Sequence, residues 1–242
     1  MKMLTFSKRN LKEFIRDPLN LAFSLGFPIV LLFLLSIIQK NIPVSLFEIS
    51  HLAPGITVFG LSFITLFSAT IISKDRKSAF LERLYTTPLK ACDFILGYTL
   101  PILPIAVSQS AICYLFAFIF GLKPDINLVL AVLFIIPISF FYISLGLLCG
   151  SIFSDKQVGG ICGALLTNLS AWLSGIWFDL ELVGGAFKKI AYLFPFVHAV
   201  ELERNIVSGN FAAILPHLLV VLIYALIITA LAVFVFLKQM KD

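Results

Sequence analysis

The chain has 242 residues, of which 60% are hydrophobic and 13% charged, and its mean hydropathy is +1.04. That composition excludes a soluble globule, whose water-facing surface needs far more charge. The net charge of +5 invites a nucleic-acid reading, but the basic residues flank apolar runs instead of forming a basic domain, so no nucleic acid is expected as a partner.

In chain order, residues 1–17 come first and are amphipathic at 100° per residue. Met3, Leu4, Leu11, Phe14 and Ile15 share one sector and Lys8, Arg9, Lys12 and Arg16 the adjoining one, with Phe6 out of place. This pattern predicts an interfacial helix lying on anionic membrane lipid. A helix must run for about 20 apolar residues to cross the hydrocarbon layer. Six such spans are predicted, at Leu19–Ile38, Pro54–Ile72, Tyr98–Phe120, Ile126–Ile152, Val158–Trp177 and Ile214–Leu237. They lack the period-2 alternation of barrel strands, so the expectation is an all-α membrane protein with a single transmembrane domain over residues 1–242. The first run is too long for the apolar core of a secretory signal and is expected to stay in the membrane.

In the second span Phe59, Phe63 and Phe67 repeat every four residues, with Thr65, Ser68 and Thr70 between them. After it, Ser73-Lys74-Asp75-Arg76-Lys77 leaves the membrane, Phe80, Leu81, Leu84 and Tyr85 follow at helical spacing, and Thr86-Thr87-Pro88 breaks the helix. This short amphipathic helix has no core of its own. Its apolar stripe is covered either by a partner or by the headgroup region.

In the fifth predicted span Gly159 and Gly163 form a GxxxG step with Gly160 beside it, which lets a second helix approach closely. Asn168 and Trp172 follow one turn apart. Any of these residues can serve plain packing. Together, Phe59, Phe63, Phe67, Asn168 and Trp172 make a candidate greasy path with a few hydrogen-bonding groups, suited to an amphiphile. Between the last two spans, residues 178–213 carry apolar stretches on both sides of Pro195, read as short helices dipping into the outer leaflet, with Gly209 as a helix stop. Alternate sides of the predicted membrane carry 13 and 5 Lys and Arg residues, and the positive-inside rule assigns the 13, and both termini, to the cytoplasm.

No catalytic residue, metal site or disulfide framework is expected. There is no GxxxxGK[ST] phosphate loop, and Cys92, Cys113, Cys149 and Cys162 show no ligand spacing. The six spans hold no ionisable residue except His217. His198 and Glu201 form an i,i+3 pair that reads as an ion pair or cap in preference to a metal site.

The block running from Ile72-Ser73-Lys74-Asp75-Arg76-Lys77 through Leu81-Glu82-Arg83-Leu84 to Thr87-Pro88-Leu89 resembles the ABC-2 type transporter permease family. Members often carry Gly-Thr where this chain has Ala79-Phe80. The resemblance implies a coupling helix formed by Phe80, Leu81, Glu82, Arg83, Leu84 and Tyr85 and closed at Pro88. It also implies a dimer of permease chains in the bacterial plasma membrane, docked on cytoplasmic ATP-binding cassette subunits that hold ATP and Mg, so that this chain binds no cofactor. The small size looks most like the drug and antibiotic exporter branch. The competing reading is an autonomous channel or secondary carrier that needs no ATP.

Overall fold

The computed structural model describes residues 2–42, 47–78, 80 and 91–239, and their regular elements are helical. These include α1 (Lys2–Arg16), α2 (Ala22–Lys40), which a helical turn at Pro18–Leu21 leads into, α3 (Ile49–Lys77), α4 (Asp93–Ile119), α5 (Ile126–Ile152), α6 (155–173), α7 (Leu180–Val183), α8 (Gly185–Leu193), α9 (Pro195–Val207) and α10 (Phe211–Lys238). Within α4 the helix tightens into turns at residues 100–102, around Pro101, which has no N–H to give to the helix.

Among the described residues, five helices are long and apolar enough to cross a membrane: α2, α3, α4, α5 and α10. The chain is a multi-pass membrane protein. The span expected at Val158–Trp177 is not among the five. Its helix, α6, begins on Asp155-Lys156-Gln157 and ends at Leu173. Glycines together with Thr167, Asn168 and Ser170 dilute its apolar content, and Gly175 turns the chain at φ 70° before Trp177 is reached.

α3 is the central element. Of its most apolar stretch, 89% is buried inside the chain, against 17% for α10. It packs against α5, α4, α9, α6 and α2, while α5 also carries α10 along its length. Lipid tails are as apolar as leucine, so close packing and interhelical hydrogen bonds must hold such helices together. Both are present. A Cβ on Gly146 would lie 2.7 Å from the Thr65 carbonyl oxygen, and one on Gly150 would lie 2.7 Å from that of Ala69, so α3 and α5 touch backbone to backbone. Thr65 Oγ1 donates to the Tyr142 carbonyl at 2.8 Å, and Ser144 and Thr229 join α5 to α10 at 2.7 Å.

α1 differs from its predicted sectors. The residues turned into the bundle are Phe6, Asn10 and Phe14, spaced i, i+4, i+8 on one face. Phe14 packs edge-on to Phe67 of α3, whereas Leu4 and Ile15, expected on the same apolar sector as Phe14, are 62% and 53% exposed. The helix therefore presents three faces: one to protein, one apolar and uncovered, and one basic.

Residues 178–213 fold into the short helices α7, α8 and α9. Gly209, at φ 75°, closes α9 with its N–H on the Ile206 carbonyl, a turn that favours glycine. α9 lies against α3, α5 and α10 and buries Phe196, Val200, Glu203 and Ile206.

Candidate functional site

The C-terminal end of α3 carries the densest polar junction. Asp75 is 2% exposed and accepts three hydrogen bonds: Arg9 Nη1 to Oδ2 at 2.6 Å, Arg9 Nη2 to Oδ1 at 2.8 Å, and the Tyr98 hydroxyl to Oδ2 at 2.8 Å. A two-pronged guanidinium–carboxylate pair of this kind fixes orientation as well as distance. Arg9 also pairs with Glu13 at 2.7 Å. Burial alone would lower the Arg9 pKa, but the hydrogen bond and charge of Asp75, with the charge of Glu13, more than reverse this and raise it.

An aromatic cluster completes the junction. Phe6 packs on Tyr98, Phe94 and Phe80 at ring-centroid distances of 4.9, 6.0 and 6.2 Å. The Arg9 guanidinium sits 4.3 Å over the Phe80 ring, a cation–π arrangement, and Asn10 Nδ2 donates to the Gly97 carbonyl at 3.0 Å. α1, the end of α3, Phe80 and the start of α4 are thus tied together where the predicted coupling helix begins. Phe80 is described. Leu81, Glu82, Arg83, Leu84, Tyr85 and Pro88 lie outside the described residues. Sequence reasoning assigned no role to Asp75 or Tyr98 and left Phe6 as a misfit. The available signal was a lone acid in the basic run Ser73 to Lys77, opposite a basic helix that ends in arginine.

The candidate path residues do not share one surface. Phe59, Phe63 and Phe67 are buried, with Phe63 against Phe23 and Phe27 of α2, and Phe59 against Trp177. Ser68 and Thr70 return their hydroxyls to carbonyls one turn back in α3. Asn168 and Trp172 stand on the uncovered face of α6 with Leu165 and Leu169. The Asn168 amide donates to its own helix, at the Ala164 carbonyl, 2.8 Å.

Within this chain no backbone among the described residues approaches the three α6 glycines. A Cβ on Gly159 or Gly160 would meet nothing within 4 Å, and one on Gly163 would meet only the Leu66 side chain, at 3.4 Å. Within this chain the GxxxG step in backbone contact is Gly146 to Gly150 of α5, which sequence reasoning passed over although its spacing is the same.

At the far end of the bundle, Glu203 of α9 is fully buried and accepts from the Tyr114 hydroxyl at 2.7 Å, while its Oε1 has no partner. Burial raises the Glu203 pKa to about 8, against a smaller lowering by the Tyr114 hydrogen bond. Glu201 does not pair with His198. It accepts from Arg204 at 3.0 Å, and His198 instead meets His217 of α10. Residues 1–208 match the family model described as ABC-2 type transporter. Comparison with curated proteins finds no match.

Proposed function

The chain belongs to the ABC-2 type transporter membrane family, and from that premise we propose that it is the transmembrane permease subunit of an ATP-binding cassette exporter. ATP hydrolysis is assigned to a separate cytoplasmic subunit, and the cargo to the hydrophobic or amphiphilic class. The observation that carries this reading is the Arg9–Asp75–Tyr98 junction with its Phe6–Phe80 cluster. A helix moved by an ATPase transmits force only if something rigid receives it. Here the first residue of the predicted coupling stripe, Phe80, is packed on α1 and joined through Arg9 to the end of α3, the most buried helix of the bundle.

The 13 to 5 charge asymmetry supports cytoplasmic placement of that junction and of both termini. Six-span topology is part of the proposal, with α6 as the added crossing. A second permease chain on the uncovered α6 face would cover Gly159, Gly160, Asn168 and Trp172, and a path there would be completed between chains. Buried Phe59, Phe63 and Phe67 would line it only after α2 moves. The amphiphile assignment rests on the chemistry of these residues.

One observation favours the carrier alternative: Glu203 is a buried ionisable group of the kind that proton-coupled carriers use. The discriminating experiment is co-purification of the ATPase with the parent and with Leu84→Asp, alongside transport in cells. Burial of one leucine contributes about 1.5 to 3 kcal/mol, so Leu84→Asp is expected to release the ATPase while the permease still inserts. Transport by a Leu84→Asp chain with no ATPase attached would favour the carrier.

A further inference from the structure

α1 and the end of α3 form a cleft of about 870 Å³, within the roughly 300 to 1,000 Å³ of sites that hold small molecules. Its walls are strongly basic. Lys8, Lys12 and Arg16 line it from α1, spaced i, i+4, i+8 on one face, and Arg9 and Lys74 of α3 join them, against two acids, Glu13 and Asp17. Both acids are engaged: Glu13 pairs with Arg9 at 2.7 Å, and Asp17 accepts from the Leu19 N–H at 3.1 Å. Arg9 is held by Asp75. Lys8, Lys12, Arg16 and Lys74 are exposed, and among the described residues none of the four has an anionic partner. Like charges at i, i+4 repel, so the four cations together favour an anion brought from outside the chain.

The neighbouring surface identifies the kind of anion. On α1 the basic sector adjoins the uncovered apolar one at 100° per residue. There Leu4 and Ile15 are 62% and 53% exposed, and Leu19, just past the helix, is 66% exposed. A small soluble anion makes no use of that apolar edge, whereas an anionic phospholipid matches both halves of the surface.

We propose that the cleft binds the phosphate headgroup of one anionic phospholipid, held between Lys8, Lys12 and Arg16 of α1 and Lys74 of α3, with its acyl chains along Leu4 and Ile15. The Arg16 guanidinium can give a phosphate two parallel N–H bonds, and the lysines act as point charges. A helix resting on a charged membrane needs only its own cations. Here Lys74 comes from a second element, so a single headgroup bridges α1 to α3 beside the Arg9–Asp75 pair and adds a tie that depends on lipid. The inference needs the chain in a membrane and needs no ATPase, so it stands apart from the exporter reading.

The test uses the full-length chain in detergent micelles, supplied with phosphatidylglycerol and phosphatidylcholine of the same acyl chains and weighed by native mass spectrometry. One phosphatidylglycerol retained per chain is expected, with phosphatidylcholine, whose headgroup has no net charge, held far more weakly. Lys12→Gln and Lys74→Gln should each weaken retention by about fivefold, the scale of one basic residue at an anionic membrane surface. Lys77→Gln, at an exposed lysine on the same end of α3 but outside the cleft, should leave it unchanged. Equal effects of Lys74→Gln and Lys77→Gln, or equal retention of the two lipids, would overturn the site and leave a diffuse attraction to charged membranes. Release of the lipid by inorganic phosphate at equal concentration would show that the cleft takes the free anion. Lysine variants that keep the lipid but lose the co-purifying ATPase would assign the cleft to that subunit, and either of these results also ends the proposal.

Discussion

The ring of Phe6 fills the space that a side chain on Gly97 would need: a Cβ built on Gly97 would overlap ring atom Cδ1. The α1–α4 contact is therefore complementary, with an aromatic knob on one helix and a glycine hole on the other. Gly97→Ala should displace Phe6 and cost about 1 to 3 kcal/mol, as overpacking of a filled site does. Phe6→Ala should cost about 3 to 5 kcal/mol by emptying it. The double variant Phe6→Ala/Gly97→Ala should be less destabilised than the sum of the two, because the added methyl group enters the vacated space. Thermal unfolding midpoints of the purified chains check this, and strict additivity would show that the two positions do not meet.

Hydrophobic periodicity located nearly every long helix, because crossing hydrocarbon demands continuous apolar sequence whatever the helix packs against. It could not tell which face of a helix meets protein and which meets lipid, since both are apolar. Three differences share that cause. Phe6 looked like a misfit on a helix whose lipid-side sector was legible, yet it is the residue that docks the helix. Gly159 and Gly163 have the same GxxxG spacing as Gly146 and Gly150, yet within this chain only the second pair carries a backbone contact. Glu203 shares segment 178–213 with Asp179, Glu181 and Glu201, and nothing in its spacing marks it as the acid whose helix turns it inward to Tyr114. Polar partners distant in sequence, such as Arg9 with Asp75, leave only a charge of unusual sign in a run, and that signal was visible at Asp75.

The glycine steps give a direct contrast. Alanine at Gly146 or Gly150 would place a methyl group 2.7 Å from a carbonyl oxygen of α3, and backbone cannot yield as a side chain tip can. Gly146→Ala and Gly150→Ala should lower the yield and thermal midpoint of the folded chain. Gly159→Ala, with open space around it within its own chain, should be clearly milder than either in both measures. Size-exclusion profiles and unfolding midpoints make the comparison, and equal behaviour of the three variants would contradict the α3–α5 contact.

The Arg9–Asp75 pair predicts how firmly α1 is held. Hydrogen bonds to charged groups contribute about 1.5 to 3 kcal/mol, and the partly exposed position of Arg9 places this pair toward the lower figure. Asp75→Ala should loosen α1 and speed tryptic cleavage after Lys8 and Lys12. Arg9→Lys should do so more mildly, because an ammonium group cannot bridge both carboxylate oxygens while stacking on Phe80. Cleavage rates unchanged in both variants would mean that the aromatic cluster alone anchors the helix.

Glu203 predicts a pH dependence of known sign. Its pKa in the folded chain is raised to about 8 by burial, above the ordinary carboxylate value of about 4.3 that the unfolded chain would show. Between those values the folded form binds more protons than the unfolded form, so stability falls as pH rises. The contribution is fully present below about pH 4 and lost by the time pH has passed the folded value of about 8. Glu203→Gln keeps the shape and an acceptor for the Tyr114 hydroxyl while removing the titration. The parent should therefore lose thermal stability from pH 5 to pH 8.5, and Glu203→Gln should lose markedly less over the same interval. Tyr114→Phe removes the donor that favours the charged carboxylate, so it should steepen the fall. Parallel pH profiles for the parent and Glu203→Gln would show that some other group governs this range and that the Glu203 carboxyl reaches water in the folded chain.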